Sequence, residues 1–293
     1  MFNQGGGLMI NRHELKLDSK RIMKEGKWKL LRCVFFFLAL TAIIGMLTGQ
    51  LTGITAFTNR ISNDWEEDLN ELSSRYTEEE MLENADEYLE EAVDILAGYF
   101  PKVSTAAVFI AALLSVMSNI FSAGFDWWCL LNVRRKENDQ RNMFDGFGFA
   151  FKLLFLLLIT NFIVTMGLFF FIIPGFYFSL CFSQATYIMF EDPSKGVFRC
   201  LAESNRMMKG RKAEYLVLLL SFIGWVYIGQ LVSTLISTLF IGLGLVSLTA
   251  ISSIFFNLWL TPYMGLTRAG FYNKISGCTA SGEVQPVQED NTL

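Results

Sequence analysis

One histidine, His13, is all that this chain of 293 residues contains. No second histidine is available as a base or a metal ligand. Membrane phosphatases, zinc proteases and Ser-His intramembrane proteases all need histidine within the membrane-side site, so the sequence argues against them. Intramembrane aspartyl proteases need two aspartates on spans; only Asp126 comes close, and no G-x-G-D pattern accompanies it. The E-E-x-x-x-R motif is missing, because Glu66-Glu67 and Glu90-Glu91 lack the arginine. There is no P-loop, no dinucleotide fingerprint and no D-x-D-x-D-G calcium loop. The five cysteines, Cys33, Cys129, Cys181, Cys200 and Cys278, form no C-x-x-C pair. Neither structural disulfides nor a zinc site is expected. These absences predict a protein that is not an enzyme and holds no cofactor or metal.

Charge is also scarce, at 18% of residues, while 52% are hydrophobic and 28 are phenylalanine. The mean hydropathy of +0.38 is too high for an ordinary soluble domain. A membrane-spanning helix needs about 20 mostly apolar residues. Six segments qualify: residues 33–53, 104–131, 150–173, 174–190, 215–240 and 246–266, of which the fourth is short.

The distribution of charge orients them. Of 24 Lys and Arg, 21 fall in four segments: residues 1–32, 133–152, 191–214 and the tail with Arg268 and Lys274. Arg60, Arg75 and Lys102 alone lie in the loop after the first span, where half of the 28 acidic residues are found. Basic loops stay on the cytoplasmic side. The expectation is therefore an all-α polytopic membrane protein with six transmembrane helices and both termini cytoplasmic. A five-span arrangement would move only two basic residues outside. The first span reads as an uncleaved signal anchor, since its apolar run exceeds that of a signal peptide and no A-x-A site follows. A basic inner rim suits anionic lipid head groups. Nothing points to nucleic acid.

The domain organisation follows. Residues 1–32 form a basic cytoplasmic segment, in which Asn11 and Glu14 resemble a capping box opening an interfacial helix that ends near Gly26. Trp28 is expected at the interface, with Arg32 snorkelling. Residues 33–275 form the membrane domain, and residues 276–293 read as a disordered cytoplasmic tail. Within loop 54–102, Trp65, Leu69, Leu72 and Tyr76 recur at helical spacing, Thr77 and Glu80 make a second capping box, and Leu82, Ala85, Leu89, Val93 and Leu96 continue the stripe. This predicts an external acidic helical hairpin, either a receiving surface for a cationic partner or two amphipathic helices whose charges merely face water. In residues 193–210, Val197, Leu201, Ser204 and Met208 line one face; Asp192-Pro193 reads as a helix start and Gly210 as its end. That interfacial helix either anchors a loop or docks a cytoplasmic protein.

Six polar residues lie at or near the spans: Asn119, Asp126, Asn161, Gln184, Gln230 and Asn257. Polar groups in lipid usually face the bundle interior. They are the candidate binding set for a solute path, against the alternative of inter-helix hydrogen bonds. Asp126 precedes Trp127 and Trp128, which suggests interface depth and pairing with Arg134 or Arg135. Two stripes of small residues, Ala107, Ala111, Ser115 and Asn119, then Gly229, Ser233 and Ser237, predict close helix packing or an oligomer seam.

Several short pieces recur together. They are Phe144-Asp145-Gly146-Phe147, Pro174-Gly175, Asp192-Pro193, Ser204, Met207-Met208-Lys209-Gly210, Ser221-Phe222-Ile223-Gly224-Trp225, Pro262-Tyr263 and Phe271-Tyr272. With Glu14-Leu15-Lys16 and Gly26-Lys27-Trp28 near the start, this order resembles a family of bacterial integral membrane proteins, domain of unknown function 975. The resemblance implies a bacterial plasma membrane and a helical bundle, and no established activity. It leaves two classes of function open. One is a non-enzymatic accessory, scaffold or immunity-type partner of another membrane or secretory component. The other is a small-solute or lipid permease using the polar set. The Pro-Gly pair reads as a tight outer turn, and Pro262 as an end or kink of the last span.

Overall fold

The computed structural model describes residues 11–76, 84–100, 104–136, 139–242 and 249–277. Helix is the only regular structure among the described residues. The order is α1 (Arg12–Glu25), α2 (Lys27–Leu51), α3 (Ile54–Arg75), α4 (Ala85–Tyr99), α5 (Thr105–Val133) and a 3-10 helix (Gln140–Phe149). It continues with α6 (Ala150–Phe170), α7 (Ile172–Phe182), α8 (Ala185–Glu191), α9 (Val197–Met207), α10 (Lys212–Gly242) and α11 (Thr249–Ile275). Two compact units result: Leu40–Ser118, and Met1–Ala39 together with Asn119–Leu293.

Among the described residues, four helical stretches are long and apolar enough to cross a membrane: Lys27–Leu51, Thr105–Val133, Gln140–Phe170 and Lys212–Phe240. Their surfaces say which solvent they suit. Phe151 is 86% exposed, Phe162 65% and Phe169 80%. Water would penalise such continuous apolar area, whereas hydrocarbon does not. The protein is therefore a membrane protein. Hydroxyls on these helices bond back to their own backbone, as Thr48 does to Ile44 and Thr234 to Gln230, which spares those donors from lipid.

Gly26 marks the elbow between polar α1 and apolar α2; it ends α1 with an N–H to Ile22 O bond, and its own carbonyl accepts from Leu30. The Asn11 side chain caps α1 by accepting from the His13 N–H. Glu14 accepts instead from Lys274 Nζ at 2.9 Å. The buried edge of α1, Leu15 and Ser19, lies along α11, where Thr267 donates to Ser19 Oγ at 3.0 Å.

Helices α6 and α7 form an antiparallel pair that reverses at Phe171, in extended backbone. Pro174-Gly175 is not the turn itself. Pro174 sits in the first turn of α7, where a missing N–H costs no helical bond. Gly175 allows the close approach: a Cβ there would meet Leu168 Cγ at 2.4 Å, and one on Gly167 would meet Gly175 Cα at 2.8 Å.

The segment expected as a continuous fourth span is interrupted. Helix α7 ends at Phe182 and α8 starts at Ala185. Ser204, fully buried on α9, fills the break: its hydroxyl donates to Cys181 O at 2.7 Å and accepts from Gln184 N–H at 3.2 Å. Val197, Leu201, Ser204 and Met208 form the buried face of this region as their spacing predicts, with Cys200 added. The helix starts later than expected, at Val197. Asp192 instead closes a turn, accepting from the Ser194 N–H at 3.1 Å and from the Ser194 hydroxyl. Gly210, at φ +76°, is the terminator. Pro262 lies within α11 and does not end it.

In the unit Leu40–Ser118, α3 and α4 lie together. Arg75 bridges Glu71 and Glu91, each at 2.7 Å, and Tyr76 donates to Glu91 at 3.0 Å. Leu72 is fully buried, and the Phe57 and Phe100 rings stack at 5.3 Å. The expected capping box at Thr77 and Glu80 falls outside the described residues, as does most of the tail.

Candidate functional site

The densest polar chemistry lies where the end of α5 meets α8 and α11. Its logic is helical spacing. Tyr187 and Glu191 are four residues apart on α8, as are Arg268 and Tyr272 on α11, so each pair shares one face of its helix. Asp126 and Arg134 are two turns apart along α5 and its C-terminal turn. The three ladders face one another. Arg268 Nη2 lies 2.7 Å from Asp126 Oδ1. Arg134, only 6% exposed, pairs with Glu191 and donates from Nε to Asn273 Oδ1 at 2.9 Å. Tyr272 donates to the second Glu191 oxygen at 2.6 Å. The Tyr187 and Tyr272 rings stack at 4.9 Å, joining the two ion pairs into one cluster.

Glycine makes this approach feasible. A Cβ on Gly265 would meet Cys129 Sγ at 2.8 Å, so α11 packs directly on α5. A Cβ on Gly124 would come within 1.9 Å of the Met143 carbonyl oxygen, which seats the 3-10 helix on the same stretch of α5. Asp145 of that helix accepts from Trp127 Nε1 at 3.3 Å, and Trp127 stacks on Phe190 at 5.4 Å. Within the Phe-Asp-Gly-Phe motif, Asp145 thus holds Trp127, and Gly146 leaves room for the Phe190 ring, which lies 3.1 Å from where a Cβ would stand.

The cluster is neutral: two arginines against two carboxylates. Deep in it, Gln184 Oε1, Tyr187 Oη and Arg268 Nε are buried without a hydrogen-bond partner among the described residues. Outside the membrane helices, hydrogen bonds from Ser194 hold the Asp192 carboxyl below its usual range, and burial pushes the Cys200 thiol up. Among the described residues, no group of three His, Cys, Asp or Glu is arranged to hold a metal.

Of the six polar residues singled out from the sequence, two belong to this region. Asp126 is in the ion pair, with Arg268 as its partner rather than Arg134 or Arg135; Arg135 instead lies 3.5 Å from Glu25. Gln184 is fully buried at the break between α7 and α8, with its Nε2 donating to Ser183 Oγ at 2.9 Å. Asn119, Asn161, Gln230 and Asn257 are all exposed. Glu191, Arg134, Tyr187, Arg268 and Tyr272 were not singled out as a set. Their signal was present in the two four-residue spacings, but nothing in the sequence joined one spacing to the other. The stripe of Gly229, Ser233 and Ser237 does turn inward, since a Cβ on Gly229 would overlap the Phe256 ring. In the other stripe only Ala111 is buried.

A family described as Protein of unknown function (DUF975) matches residues 9–279. The chain belongs to this family. No curated protein and no solved structure matches it. The DUF975 match spans α1 through α11, so it includes every residue of the ionic cluster and the acidic hairpin as well.

Proposed function

We propose that this DUF975 protein is a non-enzymatic accessory or scaffold subunit of a membrane or secretory assembly. It crosses the bacterial plasma membrane six times, with both termini cytoplasmic and the acidic hairpin outside. The charge distribution supports that orientation, because 21 of the 24 basic residues border the segments assigned inside.

One observation carries the functional reading. The hairpin leaves an apolar stripe uncovered: on and just after α4, Leu89, Val93, Leu96 and Phe100 are 58%, 59%, 38% and 60% exposed. Their spacing of four, three and four residues puts them on one helical face. Loop 54–102 holds 14 acidic residues against three basic ones. An apolar stripe with an acidic surround suits a segment of a partner protein that is apolar and basic. A permease would draw on the polar set, of which Asn161, Gln230 and Asn257 are exposed. Asp126, the charged member of the set, is already paired.

The test is mild-detergent purification from the native membrane, comparing the wild type with Leu89→Gln/Val93→Gln and with Asn161→Leu/Asn257→Leu. A stoichiometric protein lost only from the first variant supports the accessory role. A process abolished by the second variant and untouched by the first would sink it and favour a carrier.

A further inference from the structure

A groove of about 560 Å³ opens at the α1–α2 elbow, bounded on the other side by α11. Its chemistry changes along its length. Lys20, Lys24 and Lys27 line one end. Leu30 and Leu31 of α2, with Leu258 and Trp259 of α11, line the other. The lysines are spaced by four and three residues, so they stay on one side of the chain through the bend at Gly26. All three are exposed. Their neighbours on α1 spend their charges elsewhere, Arg21 on Glu25 and Glu14 on Lys274. Among the described residues, none of the three lysines forms an ion pair.

The apolar end is backed by aromatic rings. Trp259 stacks on Tyr263 at 5.1 Å and meets Trp225 edge-on at 5.7 Å. Lys20 Nζ lies 5.8 Å above the Tyr263 ring, tying the two ends together. Nearby Trp28 is 75% exposed at the start of α2. Tryptophan and tyrosine at this point mark head-group depth. The change from polar α1 to apolar α2 occurs at the same level.

We infer that this groove is a binding site for one anionic phospholipid, with its phosphate between Lys20, Lys24 and Lys27 and the start of its acyl chains along Leu31, Leu258 and Trp259. A soluble anion would satisfy the lysines and leave the apolar wall wet. A neutral lipid would cover the wall and leave three ammonium groups uncompensated. Only an anionic amphiphile matches both ends, and the volume is that of a small-molecule site. The inference rests on the reading that the basic segments border a bilayer, and it assigns that attraction to one place.

The experiment uses the full chain in phosphatidylcholine vesicles containing phosphatidylglycerol brominated on its acyl chains. Tryptophan quenching is followed, and Trp259→Phe isolates the contribution of the groove. Lysines beside an anionic membrane add their attractions, so K20Q/K24Q/K27Q is expected to raise the phosphatidylglycerol needed for half-quenching by roughly tenfold or more. K20R/K24R/K27R should restore it, and the loop variant R199Q/R206Q/K209Q should leave it unchanged. Equal shifts from the α1 and loop variants overturn the site while leaving a diffuse basic rim. Equal quenching of the wild type by brominated phosphatidylcholine overturns both the site and the rim.

Discussion

The ionic cluster and the acidic hairpin use the same residue types to opposite effect. In the cluster, Arg134, only 6% exposed, pairs with Glu191, and the half-buried Arg268 pairs with Asp126, with Tyr187 and Tyr272 stacked between them. In the hairpin, Arg75 holds Glu71 and Glu91 at equally short distances, but the arginine side chain is 51% exposed. Distance alone does not rank these contacts. A buried charge that loses its partner has no water to turn to, so its pair locks helices together. An exposed charge exchanges its partner for solvent at little cost. The apolar residues show the inverse. Those around the cluster are covered, Trp128 completely, whereas Leu89 and Val93 on the hairpin are not. One region covers its apolar side chains within the chain; the other leaves them exposed.

That contrast can be broken, most strongly at Arg134. Arg134→Leu should destabilise the folded protein by about 3–5 kcal/mol, read as a large fall in melting temperature in detergent. Arg134→Leu/Glu191→Leu should recover part of the loss, because no lone charge remains. If the double variant is no better than the single, pairing is not what the arginine supplies.

Next comes the packing that brings α11 and the 3-10 helix onto α5. Gly124→Ala must displace the Met143 carbonyl, and overpacking of this kind costs about 1–3 kcal/mol. Gly45→Ala, with nothing within 4 Å of the added carbon, is the matched control. Equal melting temperatures for the two variants would remove the close approach from the argument. Ser204→Ala is expected to cost about 1–3 kcal/mol, since it removes the hydroxyl that serves both Cys181 O and Gln184 N–H. Hydrogen exchange at the break between α7 and α8 should rise with it; unchanged exchange would mean that water replaces the hydroxyl.

At the hairpin, Arg75→Gln should leave the melting temperature where it is, at low and at high salt. A fall comparable to that of Arg134→Leu would erase the contrast. The smallest expected effect is at Asp192. Its folded pKa is depressed, so its contribution is present above the unfolded value of about 3.9 and is lost as pH falls through the lower folded value. Proton resonances of the Ser194 turn, followed from pH 6 down to pH 3, should change only at the acid end and not at all in Asp192→Asn.

Much of the fold was legible as composition. Apolar runs of membrane length predict helices, because backbone polar groups in hydrocarbon must bond within their own segment. The buried face of α9 followed from Val197, Leu201, Ser204 and Met208, since one side of a helix meets the protein and the other does not. The inward turn of Gly229 and Ser233 followed likewise from small residues at four-residue spacing. The polar set was less legible. Asn161 and Asp126 look alike in a sequence as polar interruptions of apolar helices, yet one is exposed and the other is in an ion pair. Rotation about the helix axis decides between them, and that depends on neighbours far along the chain.

The sequence by itself determined the helical class, the membrane as solvent and the division into basic and acidic segments. These depend on local quantities: length, hydropathy and charge per segment. The tertiary structure alone decided that Arg268 pairs with Asp126, that Arg134 pairs with Glu191, and that Ser204 interrupts the helix between Cys181 and Gln184. Each joins groups from different elements, 142, 57 and up to 23 residues apart. No local spacing encodes those meetings; the packing of glycine-faced helices on α5 and of α9 beneath α7 creates them.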